Sequence, residues 1–172
     1  IVSAQVTRET FGYSFATWRF HLRGESIRSA AAVGWIRELT VRRMMRPDVR
    51  TVPAHTTVAR FRMVFALGST GQVVAVDDER RYAGVILVPE AHAPELDETK
   101  QVREILHYSD TALLPTMTVK EAVATFERAE AEVLAVIETV ENPRVIGLLS
   151  EAYVLRRYSE ELEQRRRELI GE

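Results

Sequence analysis

The sequence predicts a small α/β sandwich built from two copies of one unit. Two observations carry that prediction. First, residues 41–95 and 102–160 repeat the same order of segments, at an offset that stays between 60 (Val73 to Val133) and 63 (Gly84 to Gly147). A steady offset over the same element order marks an internal repeat. Second, each copy contains two short strands that are apolar on nearly every residue, Val73–Val76 and Val85–Leu87 in one, Val133–Ile137 and Val145–Leu149 in the other. Such strands need cover on both faces, and helices supply it.

The elements follow in order. Val41-Arg42-Arg43-Met44-Met45 reads as an initial helical turn whose methionines point to a core, matched by Val102-Arg103-Glu104-Ile105-Leu106. Arg50-Thr51-Val52-Pro53 is extended, matched by Ala112-Leu113-Leu114-Pro115. Thr57 is an N-cap for a helix carrying Val58, Phe61, Phe65 and Ala66, and Gly68 is expected to end it. Gln72–Val76 is a strand leaving into an Asp77-Asp78 turn, and Tyr82–Val88 is a second strand stopped at Pro89. In copy two, Thr118 caps a helix carrying Val119, Ala122, Val123 and Phe126. Val133–Ile137 and Val145–Leu149 are strands joined through an Asn142-Pro143 turn. Glu151–Arg157 starts a helix, and Tyr158–Ile170 reads as a solvent-facing terminal helix rich in Glu and Arg.

Composition bounds the function. The chain has 172 residues, 46% hydrophobic and 28% charged, which suits one globular domain or two small units sharing a core. A net charge of −2 gives no global attraction to nucleic acid or anionic membrane. Without cysteine there are no disulfides, zinc-thiolate sites or thiol nucleophiles. No stretch approaches about 18 consecutive apolar residues, so no spanning helix is expected. The chain begins at Ile1 rather than Met, with no signal pattern, and reads as a piece of a longer protein.

The two matched sets, Val41–Met45 with Thr51-Val52-Pro53, the capped helix from Thr57, the strand before Asp77 and Gly84–Leu87, with their copy-two equivalents, resemble a tandem CBS-domain pair, or Bateman module. The resemblance covers residues of about 40 to 160 and implies an α/β (α+β) fold, a pseudo-twofold repeat of small sheets covered by helices. It divides the chain into a linker arm (1–40), CBS domain 1 (41–95), CBS domain 2 (96–160) and a C-terminal helix or tail (161–172). It also implies a homodimer through paired modules, and often an adenine nucleotide between the copies.

The arm is aromatic-rich. Its Trp18-Arg19-Phe20-His21-Leu22-Arg23-Gly24-Glu25 string resembles the linker that joins the last membrane helix of prokaryotic CLC-type chloride channels and transporters to their CBS pair. That resemblance implies a membrane domain as partner and a place at the cytoplasmic face of the membrane. The bland reading is an arm that packs its aromatics on the sandwich; because monomers rarely tolerate large exposed apolar patches, the arm is expected to pack on its own pair, on the dimer partner or on the membrane domain.

The resemblance also nominates ligand positions. Adenylate-binding CBS pairs close on Gly, two apolar residues, Thr or Ser, two variable residues, then Asp, whose carboxylate accepts from both ribose hydroxyls. The copy-one positions are Leu87 and Glu90, the copy-two positions Ser150 and Tyr153. Each copy keeps at most one of the two polar groups. The candidate clefts are therefore Thr51, Val52, Pro53 and Glu90 in copy one, and Ala112, Leu113, Leu114, Pro115, Ser150 and Tyr153 in copy two. Losing one charge-assisted hydrogen bond costs about 1.5–3 kcal/mol, so ATP, ADP or AMP is expected to bind weakly if at all, with no certain cofactor. For Ser150 the competing role is to cap the helix that starts at Glu151.

Other features read blandly. Arg42, Arg43, Arg46 and Arg50 form a basic cluster and Arg165-Arg166-Arg167 a second. Interleaved acids such as Glu160, Glu161, Glu163 and Glu168 favour solvated faces with intrahelical ion pairs over nucleic-acid contact. Anionic headgroups or an acidic protein surface are the alternative partners of the first cluster. The four histidines lack the spacing of a metal pair, and Glu90, Glu95, Asp97 and Glu98 read as a linker between copies. No nucleophile–base pair, metal motif or phosphate-cradling glycine loop is present. The expectation is a non-catalytic regulatory and dimerising module of a CLC-type chloride channel or transporter, against a nucleotide-sensing CBS module of another transporter or a soluble enzyme.

Overall fold

The structure is a computed structural model that describes residues 38–171. The aromatic arm, with its Trp18–Glu25 string, lies outside the described residues. From Leu39 onward the chain forms one unit.

Copy one runs α1 (Val41–Met44), β1 (Thr51–Pro53), α2 (Val58–Val64), β2 (Gln72–Val76), β3 (Tyr82–Leu87) and α3 (Val88–Ala91). Copy two runs a 3-10 turn (Val102–Ile105), α4 (Val119–Ala129), β4 (Val133–Ile137), β5 (Val145–Ser150) and α5 (Glu151–Ile170). In the first sheet β1 lies parallel to β2, and β2 antiparallel to β3. In the second, β4 and β5 are antiparallel, and Leu113 adds a parallel bridge to Val136 at the position matching β1. Both central strands shift register at one equivalent place, between Ala75 and Val76 and between Val136 and Ile137. The repeat therefore extends to its irregularities.

The two copies close each other. In copy one the orphan N–H groups that open α1 are met by copy two: Val41 N donates to Met117 O at 2.8 Å and Arg42 N to Pro115 O at 3.0 Å. The same contacts recur with roles exchanged, Val102 N to Thr56 O at 2.8 Å and Arg103 N to Ala54 O at 3.0 Å. Farther along, Arg46 and Leu148 exchange two backbone bonds of 2.9 Å, and Val85 and His107 exchange two of 2.8 Å. Each closing strand thus pairs with the opening segment of the other copy, as a pseudo-twofold requires.

Two glycines permit this crossing. A Cβ on Gly84 (φ +153°) would stand 2.9 Å from His107 O and 3.0 Å from Leu106 Cβ. A Cβ on Gly147 would stand 2.6 Å from Met45 Sδ. Met45 and Leu106 are the last residues of the two matched opening turns, so the same residue pair meets twice.

Packing follows the apolar pattern. Phe61, Val73, Ala75, Ile86 and Val88 of copy one share a core with Val102 of copy two. Phe61 and Phe65 stack tilted, 4.9 Å between ring centroids. Phe126, Leu134, Leu149 and Val154 are equally buried in copy two. Thr57 caps α2 by accepting from Arg60 N at 3.3 Å. Thr118 and Glu121 form a full capping box, with Thr118 N donating to Glu121 Oε2 at 2.8 Å.

Three element boundaries differ from the sequence expectation. Helix α2 ends at Val64, before Ala66 and Gly68. Its exit instead follows Arg62, whose guanidinium donates to Ala91 O (2.7 Å) and Ala93 O (2.8 Å) and pairs with Glu98 at 2.7 Å. One side chain so ties the linker between copies to the core. Strand β3 stops at Leu87, because Val88 and Pro89 open the short α3, where proline's missing N–H costs nothing. Residues 151–157 and 158–170 form one helix, α5, carried by Ser150 at its N-cap and by surface pairs such as Arg157–Glu160 at 3.0 Å. Met44 is buried as expected, while Met45 is half-buried against Gly147.

The crossing gives a direct test. Gly84→Ala should lower stability in urea by about 2–4 kcal/mol, because backbone and backbone strain both resist. Gly147→Ala should cost about 1–2 kcal/mol, since the Met45 thioether can turn aside. Equal costs would show that the difference between a backbone neighbour and a thioether neighbour does not decide the cost.

Candidate functional site

The candidate residues lie on the extended openings at Thr51–Pro53 and Ala112–Pro115 and at the starts of the closing helices. The structure places the candidate residues differently in each copy.

In copy two the extended segment serves the core. Leu113 is fully buried, and its N–H and carbonyl pair with Ala135 O and Ile137 N, both at 2.9 Å. Pro115 is buried, and its carbonyl receives Arg42 N. Ala112 and Leu114 are half-buried. Ser150 Oγ accepts from Tyr153 N at 3.3 Å, the N-cap role weighed from the sequence. The Tyr153 ring, half-buried, carries the Arg156 guanidinium 5.0 Å from its centroid.

In copy one, Glu90 is the N3 acid of α3, and its Oε2 lies 2.5 Å from His107 Nε2. His107 is the same residue whose backbone crosses Val85. The carboxylate at the position that the resemblance offers to a ribose is therefore already engaged by His107 of the opposite copy. Within β1, Val52 is buried, while Thr51 and Pro53 are exposed.

Thr51 and Pro53 face a cavity of about 580 Å³ at the hairpin tips, lined also by His55, Val76, Asp77, Asp78, Arg80, Arg144 and Val145. None of the other eight candidate residues lines it. The two tips are joined by a bridge between Arg81 and Arg144 and by Tyr82 N donating to Pro143 O at 2.8 Å. Asp77 organises the first tip. Its carboxylate accepts from Glu79 N (2.9 Å), Arg81 N (2.8 Å) and Arg81 Nε (2.9 Å). The Arg81 N–H is the largest influence holding this carboxyl below its ordinary range; partial burial opposes it, and the Arg81 guanidinium adds to the lowering. Behind the tip, Tyr82 Oη donates to Tyr108 O at 2.7 Å, and burial pushes its phenol well above the ordinary value, helped by the Asp110 charge.

The sequence reading missed this cavity. Its signal was present in Asp77-Asp78-Glu79-Arg80-Arg81, a turn with three acids and two arginines, and in Arg144 beside Pro143. Their convergence follows from the pairing of the two tips, which no local pattern encodes. Among the described residues no cluster of three or more His, Asp or Glu could hold a metal ion, and no helix is long and apolar enough to cross a membrane.

No family model and no curated protein matches the chain. Solved structures do. A CBS domain pair/ACT domain protein from Thermotoga maritima superposes with a TM-score of 0.59, covering 72% of this chain and 99% of that one at 20% identity. The CBS domain of a bacterial CNNM/CorC family Mg2+ transporter, in complex with ATP, gives 0.60 over 72% of this chain and 89% of that one at 15% identity. CBSX2 in complex with AMP gives 0.58 over 71% and 97% at 18% identity. The described chain has the fold of a CBS-domain pair.

The Asp77 contacts set a pH test. Its folded-state pKa lies below the reference value of 3.8. The stability it contributes is thus complete above about pH 5 and disappears as the pH falls through the depressed folded value. Asp77→Asn should lower the melting temperature at pH 7, and the difference from the parent chain should shrink below pH 4. A difference that stays constant down to pH 2 would show that the charge on Asp77 is immaterial.

Proposed function

We propose that the chain is a non-catalytic regulatory and dimerising CBS pair attached to a membrane transport domain, acting at the cytoplasmic face of the membrane. We propose a CLC-type chloride channel or transporter as its host. The observation that carries the regulatory reading is the reciprocal crossing at Val85–His107 and Arg46–Leu148. It makes the two copies one mechanical element, so a bias applied to either reaches both. A ligand or partner acts on such an element only by its difference in affinity for two arrangements. The fold shared with transporter CBS domains supports a transport host, and the Trp18–Glu25 string supports chloride within that class.

The second reading is an adenine-nucleotide sensor for another transporter or a soluble enzyme. The ATP and AMP complexes of structures with this fold favour it. Against it stand Glu90, engaged by His107, and Ser150, engaged as a cap.

Two measurements test the proposal. Light scattering at high micromolar concentration should give a dimer; a monomer would remove the dimerising role. Sequencing the gene upstream of the Ile1 codon should reveal ten or more membrane-spanning segments with glycine-rich anion-site loops. A soluble domain there would overturn the chloride host. Under the sensor reading, Glu90→Ala or Ser150→Ala abolishes nucleotide-induced thermal stabilisation. Under the first reading both leave any such response unchanged.

A further inference from the structure

We infer that the face carrying Arg42, Arg43, Arg46 and Arg50 docks on anionic lipid headgroups. The presence of a membrane rests on the transport host proposed above; the charge of the face does not.

The internal repeat separates what the fold needs from what it does not. In both opening turns the inward positions are apolar, Val41 and Met44 matching Val102 and Ile105. The outward positions differ. Arg42, Arg43, Arg46 and Arg50 of copy one, all exposed, match Arg103, Glu104, His107 and Ala112 of copy two. Four arginines thus stand where an equivalent segment folds with one. The crossings show the same asymmetry. His107 meets the Glu90 carboxylate, whereas the residues at the matched positions are Arg46 and Tyr153. The permanent cation is the one whose matched acid is a tyrosine.

The charge of the face is not cancelled around it. Among the described residues Arg42, Arg46 and Arg50 have no acid within 4.0 Å. Arg43 has a partner, so the free charge is carried by the other three. Close in the chain, Glu38 and Asp48 offset two of the four arginines and leave a net charge of +2. On α5, which packs on α1, Arg156 and Arg157 share Glu160, and Glu151 is buried. At the cap of α4, close to the α1 bonds with Pro115 and Met117, Lys120 stands against Glu121. The second arginine run differs, since Arg165 there is paired with Glu161 and Glu168.

Position and chemistry select the partner. In the proposed host the membrane domain precedes the arm, and α1 is the first described element after it. A basic segment so placed meets the negative surface of the cytoplasmic leaflet within a Debye length. Guanidinium groups bind phosphate oxygens through paired N–H donors, which suits phosphodiester headgroups. Nucleic acid would need a longer positive face than this segment with Asp48 inside it. Arg46 also exchanges backbone bonds with Leu148, so headgroup contact bears directly on one of the two crossings.

Co-sedimentation of the chain with vesicles tests the face. Phosphatidylcholine vesicles with about one-third phosphatidylglycerol should bind the chain at low ionic strength and release it as salt rises. Pure phosphatidylcholine should not bind it. Arg42→Gln, Arg46→Gln and Arg50→Gln should each weaken binding about fivefold, at an unchanged melting temperature because the side chains are exposed. Arg166→Gln combined with Arg167→Gln, on α5, should leave binding as it was. Four results overturn the face: no binding to anionic vesicles, equal binding to neutral ones, full binding by the triple variant, and an equal loss in the α5 control. Displacement by millimolar inorganic phosphate, beyond that by sodium chloride of equal ionic strength, would assign the arginines to a free phosphate. Binding of single-stranded DNA without binding of vesicles would assign them to nucleic acid. Either outcome also overturns the membrane contact. The host is judged separately: a soluble domain encoded upstream removes the host even if vesicles bind, and failed vesicle binding leaves the host standing.

Discussion

The fold depends on one close approach made twice. Each closing strand passes the opening turn of the other copy at a glycine, with Gly84 against Leu106 and His107, and Gly147 against Met45. A side chain at Gly84 would meet backbone and strain the paired bonds at Val85–His107, whereas one at Gly147 would meet the Met45 side chain, which can give way. Those bonds also determine where the orphan N–H groups of α1 and of the 3-10 turn find acceptors. Burial of Val102 in the copy-one core follows from the same crossing.

The crossing also explains why the ligand-type positions behave as they do. His107 serves the crossing with its backbone and Glu90 with its ring. A carboxylate so engaged is less available to a ribose than a free one, because its lone pairs already face a donor. In copy two the equivalent helix is long, and its first turn needs a cap. Ser150 supplies it, which turns the hydroxyl toward Tyr153 N rather than into a groove. The copy-one helix ends after four residues, at Ala91, and Arg62 fastens the chain that leaves it. The two halves thus use the same template with different helix lengths. The surface pairs along α5 add little each, about 0.3–0.5 kcal/mol, but they support a helix that leaves the core behind.

Periodicity and punctuation were enough for the strands and the caps. Gln72–Val76 and Val133–Ile137 begin and end where the apolar runs do, and Thr57 and Thr118 cap as side chains of their type should. Failure came where a distant partner decided. Gly68 is an adequate helix stop, yet α2 ends four residues earlier, since Arg62 reaches across to the linker carbonyls. The engagement of Glu90 by His107 spans seventeen residues and depends on the crossing, so no local motif shows it. The hairpin-tip cavity was hidden for the same reason: Arg80 and Arg144 belong to different copies and line it together only through the pairing of the two tips.

The tips and the crossing are mechanically continuous. Arg81 pairs with Arg144 at one end of β3, and Val85 pairs with His107 four residues on. Between them lies Gly84, where the chain has no side chain to absorb a shift. Strand β3 is therefore a short strut between the cavity and the contact that holds the copies together. A displacement of the paired tips would act on both hairpins at once, and through β3 on the opening turn of copy two. Coupling of this kind needs two arrangements of the strut that a bound partner tells apart.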